Sequence, residues 1–460
     1  MAGIGFELRR ILKNESYFGL LKGYTYAGIV ASGPWVLSIT GILLLGFLEK
    51  FWSSNQFKII QFQVSVTYLI SFSLIITGFV QLFFTRFMAD ILFRKKIAMV
   101  VGILFLMIFI TTVLSGIFVF ITGFMYFKSE PEDYILLMSI GFIELSNIWV
   151  LTIMASSIKD YNGLVLNYFI AYFLIIVIGL LLSNYGLDGY LIAFDIGQAI
   201  LFVGLFGLVC FQYPGTENPD LFSILKTQKL FYILIPTGFI FNAAIWADKI
   251  MFWFNPETSG TVIGPLRASP IYDVPIFLSY LLIIPGLAVF LMRLETDFVE
   301  AYNNFYDSIR NGGLLSEIIS AKNDMISTAK RGFIDIIKIQ SVVIFITMTY
   351  SSQILSFLGY SKDYTRIFDF DIIGVSLQLL LMSIINVYFY LDRRGRVFFL
   401  VTIFLIGNIF FTELTLKFGP FYYGSGFMFS LLIVDLIGLY MLNVDFTNLE
   451  YETFMKSHYG

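Results

Sequence analysis

Apolar runs of about twenty residues recur along the whole of this 460-residue chain. A run of that length crosses the hydrocarbon core of a bilayer as a helix, because about 20 helical residues span about 30 Å. With 58% hydrophobic and only 13% charged residues, the composition is unlike that of a soluble globular domain. The runs predict an all-α polytopic membrane protein.

Twelve transmembrane helices are predicted, joined mostly by short connections. Their approximate bounds are 26–48, 62–84, 98–124, 134–155, 164–182, 188–211, 230–254, 274–292, 333–357, 369–390, 397–416 and 424–443. An even count places both termini on one side, and most lysines and arginines outside the spans fall on that side. Because positive charge marks the cytoplasmic side, we expect a multi-pass protein of the cytoplasmic membrane with both termini in the cytoplasm.

Several classes of site are excluded by residue counts alone. Cys210 is the only cysteine and His458 the only histidine, which excludes an intramolecular disulfide and any metal site or catalytic triad built on histidines. The longest segment outside the spans, 293–332, is shorter than most catalytic domains. No Walker-type GxxxxGK[ST] motif is present. We therefore predict no catalytic residues, no metal and no cofactor.

An internal repeat divides the chain. Residues 74–78 read LIIxG and are followed by FxxRxxxD at 83–90; residues 282–286 and 290–297 repeat both patterns. A second correspondence, at similar spacing, joins the SGPW of 32–35 to the Pro-Thr-Gly that begins at Pro236. The matches predict two six-helix halves related by an axis along the membrane normal, with a substrate path between them.

Domain boundaries follow from this repeat. We predict a cytoplasmic amphipathic N-terminal segment and an N-terminal six-helix lobe, then a cytoplasmic linker, a C-terminal six-helix lobe and a cytoplasmic tail. These segments are 1–25, 26–211, 212–229, 230–443 and 444–460. A cytoplasmic amphipathic insert at 293–332 interrupts the second lobe and is expected to form one or two helices joined at 311–313.

Polar and charged side chains in the spans, with nearby aromatic residues, are the candidate transport path. A charge in lipid is costly, so such a group faces a partner or a water-filled cavity. The candidates are Trp35, Arg86, Asp90, Glu144, Asn147, Asp195, Trp246, Asp248, Lys249, Arg293 and Asp297.

Two kinds of pair stand out among these candidates. The arginine and aspartate of each FxxRxxxD motif are four residues apart and can pair on one helical face, either as a structural anchor or as a gate. Glu144 with Asn147, and Asp195 with Gln198, each share a face. They serve either as a proton or cation site or as plain helix-to-helix hydrogen bonds.

The span 230–254 is interrupted by Pro236 and Gly238 and carries Asp248 and Lys249. Two interpretations stay open: the charges lie near the outer headgroups, where they cost little, or they face a cavity. Aromatic residues near the central spans either line a sugar path or belong to interfacial belts. They are Trp35, Tyr68, Trp246, Trp253 and Tyr280.

Four stretches carry a resemblance to a known family. The opening MAGIGFELR, the SGPW of 32–35, the TRFMAD of 85–90 and the WADK of 246–249 resemble the PelG family of Pel exopolysaccharide transporters. That family lies within the multidrug/oligosaccharidyl-lipid/polysaccharide flippase superfamily, and the resemblance covers essentially the whole chain.

The resemblance implies twelve helices in two six-helix lobes around a central cavity. It also implies passage of an N-acetylgalactosamine-rich polymer across the cytoplasmic membrane for biofilm matrix. The implied partners are a cytosolic glycosyltransferase, PelF, and the membrane proteins PelD, a cyclic-di-GMP receptor, and PelE. No nucleic-acid partner is expected.

Three other functions remain open at this point. A flippase for lipid-linked oligosaccharide has the same expected fold, and so does a cation-coupled drug exporter, whose activity would depend on Glu144 or Asp195. A scaffold that only assembles a synthase would tolerate substitutions in the path but lose function when its loops change.

Overall fold

The computed structural model describes residues 56–158, 160–213 and 231–451, together with residue 215 and single positions between 28 and 48. In this part of the chain ten helices are long and apolar enough to cross a membrane. They are Phe57–Phe93, Ile97–Tyr126, Glu132–Ser157, Asn162–Leu181, Leu187–Gln212, Pro270–Arg310, Leu315–Phe357, Lys362–Tyr390, Arg394–Phe418 and Pro420–Thr447. Ten of the twelve predicted spans coincide with these helices.

The two remaining predicted spans have different outcomes. Span 26–48 lies mostly outside the described residues. Span 230–254 contains a helix, Leu234–Phe254, but its polar side chains lower its mean hydropathy, and it is not one of the ten. The multi-helix membrane architecture is therefore confirmed, while the count of twelve and the two-lobe arrangement stay predictions.

The first compact unit is Gly33–Pro270. Its described helices are α1 (Gln56–Phe93), α2 (Val100–Tyr126), α3 (Glu132–Ser157), α4 (Tyr161–Leu181), α5 (Leu187–Gln212) and α6 (Leu234–Phe254). Large apolar side chains fill its interior. The ring of Phe62 on α1, for example, lies 5.8 Å from Tyr190 and 6.3 Å from Phe194 on α5, so burial of aromatic surface joins the first helix to the fifth.

Helix α6 packs within this unit, against α1. The rings of Phe79 and Phe239 stack at 4.2 Å, and the Asn242 amide donates to the Leu74 carbonyl at 2.7 Å. The predicted division assigns 230–254 to the second lobe. The predicted lobes follow the sequence repeat, whereas the compact units follow packing in the structure. The two divisions answer different questions, so the lobe boundaries stay a prediction.

A short β-hairpin follows α6 in this mainly helical fold, and the sequence analysis did not predict it. Strand β1 (Gly260–Ile263) pairs antiparallel with β2 (Leu266–Ala268), around a turn in which Gly264 has φ +48°. Three or four residues per strand are too few to show alternation in the sequence. Tyr68 of α1 anchors the hairpin, because its hydroxyl donates to the Arg267 carbonyl at 2.9 Å.

The described part of the second compact unit is residues 271–451, together with Gly28. Its described helices are α7 (Pro270–Leu281), α8 (Ile284–Met292), α9 (Val299–Arg310), α10 (Leu315–Phe357), α11 (Thr365–Tyr390), α12 (Arg394–Phe418) and α13 (Ser425–Thr447). Single 3₁₀ turns precede two of these helices, Lys362–Tyr364 before α11 and Pro420–Tyr422 before α13. In the first unit, Ile97–Met99 precedes α2 and Ser183–Tyr185 precedes α5 in the same way.

The predicted span 274–292 is not one regular helix. It stops after Leu281 and restarts at Ile284, since Pro285 has no N–H to donate to the preceding turn. After α8 the chain passes through a π-helical turn, Arg293–Phe298, before α9 begins. The Thr296 hydroxyl donates to the Leu291 carbonyl at 3.0 Å and so satisfies a backbone acceptor where the helix widens.

The amphipathic insert forms two helices. Helix α9 ends at Arg310, residues 311–313 form the turn, and Gly312 has φ +66° there, a conformation that glycine adopts at little cost. Helix α10 then runs for 43 residues without interruption, through the second half of the predicted insert and the whole predicted span 333–357. The backbone of Leu314 donates to the Glu317 carboxylate at 3.0 Å, which caps its first turn.

Candidate transport site

Two carboxylates lie near each other inside the first unit, on α3 and α5. Asp195 is 8% exposed and lies so close to α3 that a Cβ added to Gly141 would sit 2.8 Å from its Oδ1. Glu144 stands one turn further along α3, and the two carboxylates are near enough to interact electrostatically. The structure therefore brings together two acidic residues that the sequence placed on separate spans.

The amides beside these carboxylates are only partly satisfied. Asn147 donates to the Thr112 hydroxyl at 2.9 Å, and Gln198 donates to the Tyr172 hydroxyl at 3.2 Å. Within the described residues, several buried oxygens have no hydrogen-bond donor: Glu144 Oε2, Asn147 Oδ1, both Oδ atoms of Asp195 and Gln198 Oε1. Buried acceptors are normally paired, and the proton or cation site predicted for this group stays a prediction.

Asp248 and Lys249 form a buried ion pair on α6. Lys249 Nζ lies 3.1 Å from Asp248 Oδ2 and donates to the Ile245 carbonyl at 2.9 Å. Their exposed fractions are 0% and 2%. They are enclosed by protein, and their depth in the membrane stays a prediction. Their burial also means that they do not line an open surface in this conformation.

Both FxxRxxxD motifs form the predicted ion pair. Arg86 lies 3.3 Å from Asp90, and Arg293 lies 2.9 Å from Asp297. Arg293 also pairs with Asp335 of α10 at 2.9 Å, which connects the π-helical turn to the long helix. The side chains are partly exposed, so each pair contributes little to stability by itself.

The aromatic candidates differ in their surroundings, and their place in a transport path stays a prediction. Trp35 lies outside the described residues. Trp253 is 1% exposed and stacks on Tyr68 at 4.6 Å, so these two rings help to anchor the hairpin. Trp246 is half-buried and its ring lies 6.1 Å from Trp253.

Glu295 is one of the buried acids that sequence reasoning missed. It lies in the π-helical turn, is 2% exposed and accepts hydrogen bonds from Asn386 at 2.7 Å and from the Tyr390 hydroxyl at 3.0 Å. Its signal lies in the repeat, where the equivalent position of the first motif is Met88. The second motif thus has a carboxylate where the first motif has an apolar side chain, and this difference singles out position 295.

Residues 1–454 match the sequence model of PelG, described as "Putative exopolysaccharide Exporter (EPS-E)". The chain belongs to the PelG family. No curated protein matches the sequence. The chain is thus a membrane transporter of the exopolysaccharide-exporter family, as the N-terminal and WADK motifs predicted.

Solved transporter structures share the PelG fold at low sequence identity. An outward-facing multidrug resistance MATE family transporter of the MOP superfamily has a TM-score of 0.63 at 14% identity, with 92% of this chain and 96% of that chain covered. A MOP superfamily transporter from Pyrococcus furiosus gives 0.61 at 12% identity, covering 93% and 96%. The Vibrio cholerae MATE transporter VcmN gives 0.61 at 10% identity, covering 96% and 98%. These likenesses establish a MATE-like transporter fold.

Proposed function

We propose that this PelG family member moves Pel-type exopolysaccharide across the cytoplasmic membrane while the polymer is made, without catalysing a reaction itself. The family match over residues 1–454 carries the proposal. The MATE-like fold supports it, because it is a fold of transporters and has no appended soluble domain in the described residues.

The first experiment removes the gene from a polymer-producing bacterium and restores it with the wild-type chain. We expect secreted polymer to disappear and return, with no lipid-linked sugar accumulating in the membrane. Accumulation of a lipid-linked oligosaccharide would favour the flippase, and unchanged secretion would exclude both functions. A change in drug sensitivity alone would favour a drug exporter.

Within this function, Asp248 and Lys249 are proposed to hold α6 in shape beside the path. Asp248→Ala and Lys249→Ala each leave a buried partner charge uncompensated, so we expect lower secretion at equal membrane abundance. The control is Lys128→Ala, since Lys128 stacks on Phe124 outside the candidate group. Unchanged secretion by both path variants would remove these residues from the proposal.

Coupling to a cation is a second possibility that the unpaired oxygens of Asp195 and Glu144 favour. Asp195→Asn keeps the shape of the side chain and removes its charge. A coupled transporter would lose transport and its dependence on the proton or sodium gradient. Asp188→Asn, in the first turn of the same helix, is the matched control. Equal secretion by the two variants would favour transport driven by polymer extension.

Partner docking is proposed for the insert. Leu314 and Leu315, at the tip between α9 and α10, are 68% and 65% exposed, and two adjacent exposed leucines on the predicted cytoplasmic side support a protein contact there. We propose that this tip binds the glycosyltransferase PelF, with PelD and PelE as further partners. Leu315→Glu should abolish co-purification of PelF, while Leu358→Glu, at the other end of α10, should not.

A further inference from the structure

A row of aromatic rings extends from the π-helical turn along α9. Phe298, Tyr302 and Tyr306 stand four residues apart and therefore share one face of the helix. Their ring centroids are 6.3 Å apart for the first pair and 4.6 Å for the second. Tyr390, from the end of α11, packs beside the row at 5.6 Å from Tyr302 and 5.8 Å from Phe298.

The row passes from the interior of the unit to its surface. Phe298 is fully buried, whereas Tyr302, Tyr306 and Tyr390 are half-buried. Core packing alone requires no phenolic hydroxyl, and tyrosine is favoured where one side of a ring is dry and the other is wet. Three tyrosines in contact therefore offer an aromatic surface with polar edges.

Glu295 fixes the inner end of this surface. The Tyr390 hydroxyl and the Asn386 amide each donate to one of its carboxylate oxygens. No described lysine or arginine lies within ion-pair distance of Glu295. A buried carboxylate is costly unless it is hydrogen-bonded, so the turn that buries it holds the Tyr390 ring in one orientation.

We propose that Tyr302, Tyr306 and Tyr390 form a saccharide-binding row for the exported polymer, with Glu295 as a positioning residue. The proposal rests on the proposed function, which supplies a chain of pyranose rings as the ligand. Aromatic faces pack against the C–H faces of such rings, and phenolic hydroxyls bond to their hydroxyl groups. Stacked aromatic side chains bind in the same way along other polymers that have flat faces.

The competing explanation is an interfacial aromatic belt, in which the same tyrosines contact lipid headgroups. The experiment is photocrosslinking in cells that make the polymer. A tagged copy carrying Tyr302→p-benzoylphenylalanine or Tyr306→p-benzoylphenylalanine is expressed beside the untagged wild-type chain, so that export continues. The matched control is Tyr440→p-benzoylphenylalanine, because Tyr440 is 72% exposed on α13.

We expect polymer adducts, detected on the purified tagged chain and removed by a glycoside hydrolase, at 302 and 306 but not at 440. If neither position 302 nor position 306 gives a polymer adduct, or if both give adducts with lipid only, the proposed saccharide-binding row is wrong. Gene deletion that leaves secretion intact would overturn the proposed function instead, so the two failures are distinguishable.

Variants as the sole copy give a second measurement. Tyr306→Phe keeps the stacking ring, whereas Tyr306→Leu removes it, and we expect secretion to fall about threefold or more only in the second. Full secretion by a Tyr302→Leu/Tyr306→Leu chain would contradict the proposal. For the positioning role, Glu295→Leu should lower the adduct yield at 302 and Glu295→Gln should restore it.

Discussion

Gly78 and Gly238 bring the backbones of α1 and α6 into direct contact. A Cβ added to Gly78 would lie 2.7 Å from the carbonyl oxygen of Gly238, and one added to Gly238 would meet the carbonyl oxygen of Gly78. Small residues allow membrane helices to approach closely, and packing there replaces the hydrophobic driving force that is absent in lipid. The two glycines therefore fix where α1 crosses α6.

Gly78→Ala should destabilise the protein. The added methyl group meets backbone atoms that cannot turn aside, and overpacking typically costs about 1–3 kcal/mol. Gly207→Ala is the matched control, because nothing lies within 4 Å of a Cβ at that helical position. Melting temperature in detergent is the measurement. Equal melting of the two variants would show that the crossing adapts.

Lys95→Gly should stabilise the protein. Lys95 has φ 57°, in the left-handed region, which costs most residues with a Cβ roughly 1–2 kcal/mol. The midpoint of thermal unfolding should shift to a higher temperature. Lys96→Gly, at φ −84°, should give no such gain, and a similar gain there would point to charge removal as the cause.

The ion pair of Asp248 and Lys249 should show coupled effects on stability. Removing one member of a buried pair costs about 3–5 kcal/mol, because the other charge is left uncompensated. Asp248→Asn/Lys249→Met together should therefore cost less than the sum of the single changes. The thermal stabilities of the four proteins test this expectation, and strict additivity would mean that the two side chains are stabilised separately.

Tyr68→Phe should loosen the β-hairpin. The lost hydroxyl donates to the Arg267 carbonyl and accepts from the Arg267 N–H at 3.2 Å, and an unsatisfied buried group costs about 1–3 kcal/mol. Amide hydrogen exchange over residues 260–268 should accelerate. Tyr126→Phe, at a tyrosine that is 60% exposed, should leave exchange there unchanged. No acceleration with Tyr68→Phe would place the anchor in the Arg267 side chain.

Hydropathy predicted the spanning helices well because burial in lipid is a requirement on whole segments. The i, i+4 spacing likewise predicted the pairs of Arg86 with Asp90 and of Arg293 with Asp297, since both partners lie on one helix. The continuity of α10 could also be predicted, because no proline occurs between 315 and 357 and proline is a residue at which helices commonly end.

The rest depends on contacts that one sequence does not display. The meeting of Asp195 with Glu144 depends on how α3 packs on α5. The burial of Glu295 depends on a π-helical turn, which leaves no mark on apolar periodicity. The stacking of Trp253 on Tyr68 depends on how α6 packs against α1, which aromatic content does not show.

Helix α10 has a mechanical consequence. Its 43 residues extend over about 65 Å, and only about 30 Å of that length fits within the hydrocarbon core. An unbroken helix is stiff on this scale. If the segment 333–357 crosses the membrane as predicted, the rest of α10 extends outside it as a rigid rod that ends at Leu315. We therefore expect a tilt of the membrane-spanning half to displace Leu315.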